Sequence, residues 1–162
     1  MFKRVVSLIL VLGLLCIGSG VSASLPVIFQ TGFELSEYPG IDENAEKPFG
    51  WDNIIMSPIA AFVTIEWDKT VGNTGNASLK QTQLTQDSNS AWFHVIEDVE
   101  GGQIYTFTAW FRSTGTGTGG AGFWIEWKDK DGNLLRNDIP PGLINTNDEW
   151  QRWALALVAP EG

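Results

Sequence analysis

Hydrophobic and polar residues alternate in short runs through the chain after residue 26, and no stretch keeps a helical period. Glycine, asparagine, aspartate and proline separate these runs, as is typical of strands joined by turns. The pattern predicts strands at Val27–Phe33, Ala60–Trp67, Ser78–Thr85, Ala91–Glu97, Gln103–Ser113, Gly122–Lys128, Leu134–Arg136 and Trp150–Val158. This number of short strands predicts an all-β protein, a β-sandwich of the jelly-roll kind.

The stretch QIYTFTAWFR, residues 103–112, shows how the two faces of such a sheet differ. From residue 105 onward its odd-numbered residues are apolar, whereas its even-numbered residues combine Trp110 and Arg112 with threonines. The first face is typical of a core, and the second is neither a core nor an ordinary solvent face. The same reasoning over three strands predicts a core of Tyr105, Phe107, Phe111, Ile125, Trp127, Trp150, Leu155 and Leu157. Trp51 and Trp67 are also assigned to the core, because tryptophan is highly buried on average.

The first 23 residues have the organisation of a secretory signal peptide. Lys3 and Arg4 precede an apolar run, Val5 to Ile17, that is shorter than the roughly 20 residues of a membrane span. The small residues Val21-Ser22-Ala23 follow, and we predict cleavage after Ala23. A lipoprotein signal ending at Cys16 is the alternative, but the bulky Leu15 precedes that cysteine. The sequence thus predicts a secreted or cell-surface protein whose single β-sandwich domain spans residues 24–162.

Charge and cysteine content limit the partners. The full chain has a net charge of −9, and removal of two of its ten basic residues with the signal leaves −11. Nucleic acids and anionic membranes bind basic patches, so neither is an expected partner. Cys16 leaves with the signal, and the remaining chain has one histidine. A disulfide and a zinc site are therefore not expected, and a metal would need oxygen ligands, which favours calcium.

Several sequence motifs, taken in order, resemble one group of proteins. They are TGFE at 31–34, GW at 50–51, WDKTVGNTGNASLK at 67–80, GGQIYTFTAWFR at 101–112, WKDKDGNLL at 127–135 and EWQRWALALVAPEG at 149–162. Together they resemble the secreted carbohydrate-binding modules of families four, nine and twenty-two, which have the galactose-binding-like jelly-roll fold. The resemblance covers residues 27–162.

The resemblance implies a structural calcium. In those modules a carboxylate at the place of Glu34 binds calcium with carbonyl groups of the loop that holds Asn76, and with an acid on a last strand. This sequence stops at Gly162, before that strand, so the domain is expected to be truncated at its C-terminus, with possible further domains of a longer chain. The alternative is that Glu34 anchors a neighbouring loop or is simply solvated.

The resemblance and the strand faces together predict a glycan site. Aromatic rings stack on the apolar faces of sugars, and nearby polar groups bind the hydroxyls. If the strands are neighbours in one sheet, such a face would comprise Trp92, His94, Trp110, Arg112, Trp124 and Glu126. The predicted function is non-catalytic binding of a polysaccharide or oligosaccharide. The alternatives are a structural spacer and a protein-interaction or adhesion domain; no carboxylate pair or catalytic triad motif favours an enzyme.

Overall fold

The computed structural model describes residues 5–8, 27–56, 62–85, 90–114, 121–142 and 145–161. A 3-10 turn, Leu35–Glu37, accompanies the strands of these residues. The strands are β1 Val5–Leu8, β2 Trp51–Ile55, β3 Val63–Asp68, β4 Ser78–Gln83, β5 Ser90–Glu97, β6 Ile104–Phe111, β7 Ile125–Lys128, β8 Leu134–Asp138 and β9 Gln151–Val158. The prediction of an all-β protein is confirmed.

The strands form antiparallel sheets. The largest has five strands in the order β2-β5-β1-β7-β8, and two further pairs are β3-β4 and β6-β9. Neighbouring strands in every pairing run in opposite directions. The β6-β9 pair packs on the five-stranded sheet, so the described residues have sandwich-like packing.

The first core lies between these two layers. Its buried residues are Ile96, Val99, Phe107, Ala109, Phe123, Ile125, Trp127 and Ala159. Across it, the rings of Phe107 and Trp127 meet edge to face with centroids 6.0 Å apart. Of the predicted core, Phe107, Ile125 and Trp127 are buried, and Tyr105, Phe111, Leu155 and Leu157 pack against them while partly exposed. Trp150 is half-buried and belongs to neither core of the described residues, because it precedes β9 rather than lying within it.

The second core has a different origin. It contains Phe33, Trp51, Trp67, Ala77 and Trp92, and the chain from Tyr38 to Ala45 packs against it. Trp67 donates its indole N–H to the carbonyl of Phe33 at 2.9 Å, which ties β3 to the start of the domain. The predictions that Trp51 and Trp67 are core residues are confirmed.

The predicted strand at Val27–Phe33 is wrong. Phe33 has a left-handed φ of 65°, and the Thr31 hydroxyl accepts its N–H at 3.0 Å. Gly32 donates its N–H to the carboxylate of Glu37 at 2.8 Å. These local side-chain bonds compete with strand pairing and bend the chain into the 3-10 turn.

Two observed strands were not predicted. Within β2 only Trp51 is buried, so the segment lacks the alternation that predicts a strand. The other is β1, which lies inside the predicted signal peptide and pairs with both β5 and β7. The signal peptide stays a prediction, and cleavage after Ala23 would remove the central strand of the five-stranded sheet. No helix among the described residues is long and apolar enough to cross a membrane.

Candidate ligand-binding surfaces

The six residues of the predicted glycan face lie in three separate places. A single face would require these strands to be neighbours in one sheet. They are not, because β6 pairs with β9 whereas β7 pairs with β1 and β8. The inner sides of β6 and β7 both face the first core. The outer sides of these strands therefore point away from each other, on opposite surfaces of the layered structure.

Trp92 lies on the inner side of β5. Its side chain is only 2 % exposed and belongs to the second core. Its indole N–H donates to the carbonyl of Lys80 at 3.3 Å. A ring buried to this degree packs the domain and offers no face to a sugar.

His94 follows on the same side of β5 and is half-buried. Its Nδ1 lies 2.7 Å from the carbonyl oxygen of Gly50, so the neutral ring donates its Nδ1 proton there. The ring stacks on Phe29 with centroids 4.2 Å apart and lies 5.3 Å from Trp51. Burial lowers the pKa of His94, partly opposed by the Gly50 carbonyl. The residue holds a loop in place and keeps its neutral form.

Trp124 and Glu126 lie on the outer side of the five-stranded sheet, by alternation with the buried Phe123, Ile125 and Trp127. The carboxylate of Glu126 forms an ion pair with Lys128 at 2.9 Å. The indole nitrogen of Trp124 is buried and has no hydrogen-bond acceptor among the described residues. This side therefore offers a half-buried ring beside an ion pair.

Trp110 lies on the outer side of the β6-β9 pair. Its cross-strand neighbour is Arg152, and the residue pairs Thr108–Ala154 and Thr106–Ala156 continue the same side. Trp110 is half-buried, with the exposed Arg112 two residues further along. We name this surface the Trp110 face; it consists of Thr106, Thr108, Trp110, Arg152, Ala154 and Ala156. Thr108 is only 2 % exposed, so the accessible part of this face consists of Trp110 and the exposed residues Thr106, Arg152, Ala154 and Ala156.

Arg112 stands at the edge of the Trp110 face. Its Nε donates to the carboxylate of Asp148 at 2.5 Å, and both side chains are partly exposed. The hydrogen bond from Arg112 lowers the pKa of Asp148 and raises that of the guanidinium. Both side chains of this pair therefore stay charged at neutral pH, and they place polar groups beside the ring of Trp110.

A cleft of about 460 Å³ lies elsewhere, between β2 and β3. Its lining is Ala45, Glu46, Asn53, Ile55, Ile65, Glu66 and Trp67. The sequence did not indicate this cleft, because β2 was not predicted and β3, on the other side of the cleft, was interpreted only as a strand of a sheet. Glu66 within it forms an ion pair with Lys80 at 2.5 Å.

Glu34 binds a neighbouring loop directly. Its Oε1 accepts the backbone N–H of Asn76 at 2.9 Å and of Ala77 at 3.0 Å, across more than forty residues. A Cβ on Gly75 would collide with the same carboxylate, so glycine permits this close approach. The loop therefore turns N–H donors toward the carboxylate oxygen, where a cation would need carbonyl oxygens.

Calcium binding at Glu34 and Asn76 stays a prediction that this donor set does not favour. Calcium takes six to eight oxygen ligands. Among the described residues, no group of three or more acidic, histidine or cysteine side chains could hold a metal ion. The observed contacts agree with the alternative in which Glu34 anchors a neighbouring loop.

Comparisons of the chain with protein-family models, with curated proteins and with solved structures find no match.

Proposed function

We propose that this protein is a secreted, non-catalytic β-sandwich that binds a neutral polysaccharide or oligosaccharide on the Trp110 face. The observation that carries the proposal is the position of Trp110, a half-buried indole on the outer side of β6. Across the strand pair lies Arg152, and Arg112 lies at the same edge. The jelly-roll connectivity of the galactose-binding-like kind belongs to this proposal.

The chemistry of the Trp110 face suits a sugar ring. An indole presents a flat apolar surface to the C–H side of a pyranose, and guanidinium groups donate paired hydrogen bonds to hydroxyls. The side chains of Thr106, Ala154 and Ala156 on this face are short and exposed, whereas Thr108 is buried. A chain of sugar residues would therefore lie over Trp110 and the exposed Thr106, Ala154 and Ala156.

The charge of the protein agrees with a neutral ligand. Stacking and hydroxyl recognition need no charge complementarity, so a net charge of −11 after cleavage does not oppose them. An anionic glycan would meet long-range repulsion. The strand carboxylates Glu66 and Glu126 form ion pairs with Lys80 and Lys128. This pairing gives no support to a catalytic role for them.

Affinity electrophoresis over xylans, β-glucans and mannans tests the proposal. We expect at least one neutral polysaccharide to retard the wild-type chain, with a dissociation constant in the range of about 1 μM to 1 mM. Trp110→Ala should abolish this retardation. Trp124→Ala is the matched control, since it removes a half-buried indole from the opposite outer surface, and it should leave retardation unchanged.

Three results would contradict the proposal. They are no retardation by any polysaccharide with a folded chain, retardation that survives Trp110→Ala, and retardation lost only in Trp124→Ala. Circular dichroism of each variant shows whether the fold is retained. The first result would favour the spacer or protein-interaction alternative.

A further inference from the structure

No backbone ladder joins β2 and β3, the two strands that border the cleft described above. β2 is an edge strand of the five-stranded sheet, and among the described residues β3 pairs with β4 alone. The space between them, about 460 Å³, has the size of small-molecule sites in proteins. The cleft is therefore large enough for a ligand of several heavy atoms.

The lining of the cleft combines hydrogen-bond acceptors with aliphatic side chains. Its polar side chains are Glu46, Asn53 and Glu66, and none of its described lining residues is basic. Ile55 and Ile65 supply aliphatic surface, and Ile55 is 37 % exposed. Such a lining suits a ligand that carries a positive charge, donates hydrogen bonds and has an aliphatic body.

Glu46 is the carboxylate of this lining that lacks a counter-charge. It has no hydrogen bond or ion pair with another residue in the described parts of the chain. The next residue, Lys47, pairs instead with Asp52 at 2.8 Å, and Lys80 pairs with Glu66 at 2.5 Å. Glu46 therefore offers its carboxylate to a cation from outside the protein.

A lysine beside the cleft shows how this region holds an ammonium group. The Nζ of Lys69 lies 4.6 Å from the ring centroid of Trp67, which is a lining residue of the cleft. The same Nζ donates to the carbonyl of Glu43, and to the carbonyl of Ala45 at 2.9 Å. An aromatic ring and carbonyl oxygens thus attract a cation here, and the net charge of −9 favours its approach.

We propose that the cleft between β2 and β3 binds a primary alkylammonium group. The ammonium pairs with the carboxylate of Glu46 and donates to the side-chain oxygen of Asn53, and its methylene groups lie against Ile55 and Ile65. Free aliphatic amines and the lysine side chains of peptides share this chemistry. An anionic ligand would be repelled by the carboxylates, and a neutral ligand would leave Glu46 without a counter-charge.

This site is separate from the Trp110 face, which belongs to β6 and β9, and the two surfaces have no residue in common. Trp110→Ala should therefore abolish polysaccharide binding and leave amine binding unchanged. Failure of one proposal is thus distinguishable from failure of the other.

Nuclear magnetic resonance of the isotope-labelled full chain, titrated with cadaverine at constant ionic strength, tests the site. We expect amide shifts at 45–46, 53–55 and 65–67, with a dissociation constant of about 1 mM. Nα-acetyl-lysine methylamide is the second probe, and tighter binding of one probe identifies the source of the alkylammonium group. The uncharged diol of the same chain length as cadaverine should shift none of these amides.

Glu46→Gln keeps the size of the side chain and removes its charge, so it should weaken cadaverine binding about threefold to fivefold. Glu100→Gln is the matched control, because it makes the same charge change at an exposed residue outside the cleft, and it should bind like wild type. The proposal is wrong if neither amine shifts the cleft amides, if the shifts spread over the whole surface, or if the diol binds equally well. It is also wrong if Glu46→Gln binds like wild type or no more weakly than Glu100→Gln.

Discussion

The two cores of this protein are built by different rules. The first core collects side chains from β5, β6 and β7 that alternate along their strands, and it holds two sheets together. The second core collects aromatic residues around a segment without strands, from Phe33 to Ala45. Alternation explains the first core, whereas hydrogen bonds between side chains and distant backbone explain the second.

The bonds of the second core show this difference directly. Trp67 and Trp92 each donate an indole N–H to a backbone carbonyl, of Phe33 and of Lys80. Glu34 and His94 add bonds to the loops at Asn76 and Gly50. Ring-to-ring packing occurs in both cores, as between Phe111 and Phe123 at 5.6 Å in the first and between Phe33 and Trp51 at 5.1 Å in the second. The comparison indicates that burial stabilises both regions, and that side-chain bonds to distant backbone groups additionally shape the second.

The largest expected effect is in the first core. Phe107→Ala removes a ring that is 5 % exposed and packs on Trp127, so we expect a loss of about 3–5 kcal/mol in the free energy of unfolding. Urea denaturation followed by circular dichroism measures it. Ile104→Ala on the same strand is the control, because Ile104 is 70 % exposed and should change stability by less than about 0.5 kcal/mol. A loss below about 1 kcal/mol for Phe107→Ala would place that ring outside the core.

Sequence alone predicted the first core well because a strand buried on one side alternates. Phe107, Ile125 and Trp127 were predicted from that alternation and are buried. The second core was harder: Phe33 was placed in a strand, but its left-handed backbone and the Thr31 bond end any pairing there. Trp51 was assigned to a core, yet β2 was missed because its other residues are exposed.

The candidate site was predicted less well than the fold. Alternation correctly separated Trp110 from Phe107, but it cannot tell which strands are neighbours. That information comes from long-range pairing, such as β6 with β9 and β5 with β1. Trp92 was assigned to a glycan face although it shares its side of β5 with the buried Ile96, a signal that favours a core residue.

An intermediate effect is expected at Glu34, the anchor of the loop beside the second core. Glu34→Ala leaves the N–H groups of Asn76 and Ala77 without their acceptor, and we expect a loss of about 1.5–3 kcal/mol. Glu34→Gln keeps an oxygen acceptor and should lose less. Thermal melting of both variants and wild type, with calcium and with a chelator, measures the difference.

The chelator separates the two roles of Glu34. If hydrogen bonding to the loop is its function, the melting temperature of wild type is the same in both solutions. A calcium site would raise the wild-type melting temperature with added calcium, and both variants would lose that increase. Such a result would contradict the hydrogen-bond interpretation and support the calcium that the sequence resemblance implies.

The smallest expected effect is the pH dependence that His94 adds to the second core. Burial lowers its pKa in the folded protein from the ordinary value of 6.5, so the unfolded chain binds a proton at a higher pH than the folded chain does. Stability from the neutral ring is therefore complete above about pH 6.5 and falls as the pH drops toward the folded pKa.

Urea denaturation of wild type from about pH 8 to about pH 5.5 should show this decline. Carboxylates with ordinary pKa values stay ionised over that range. His94→Gln should flatten the decline, because glutamine does not titrate and its amide can still donate to the Gly50 carbonyl. If the variant declines with pH as steeply as wild type, another group causes the dependence and the stacked position between Phe29 and Trp51 does not keep His94 neutral.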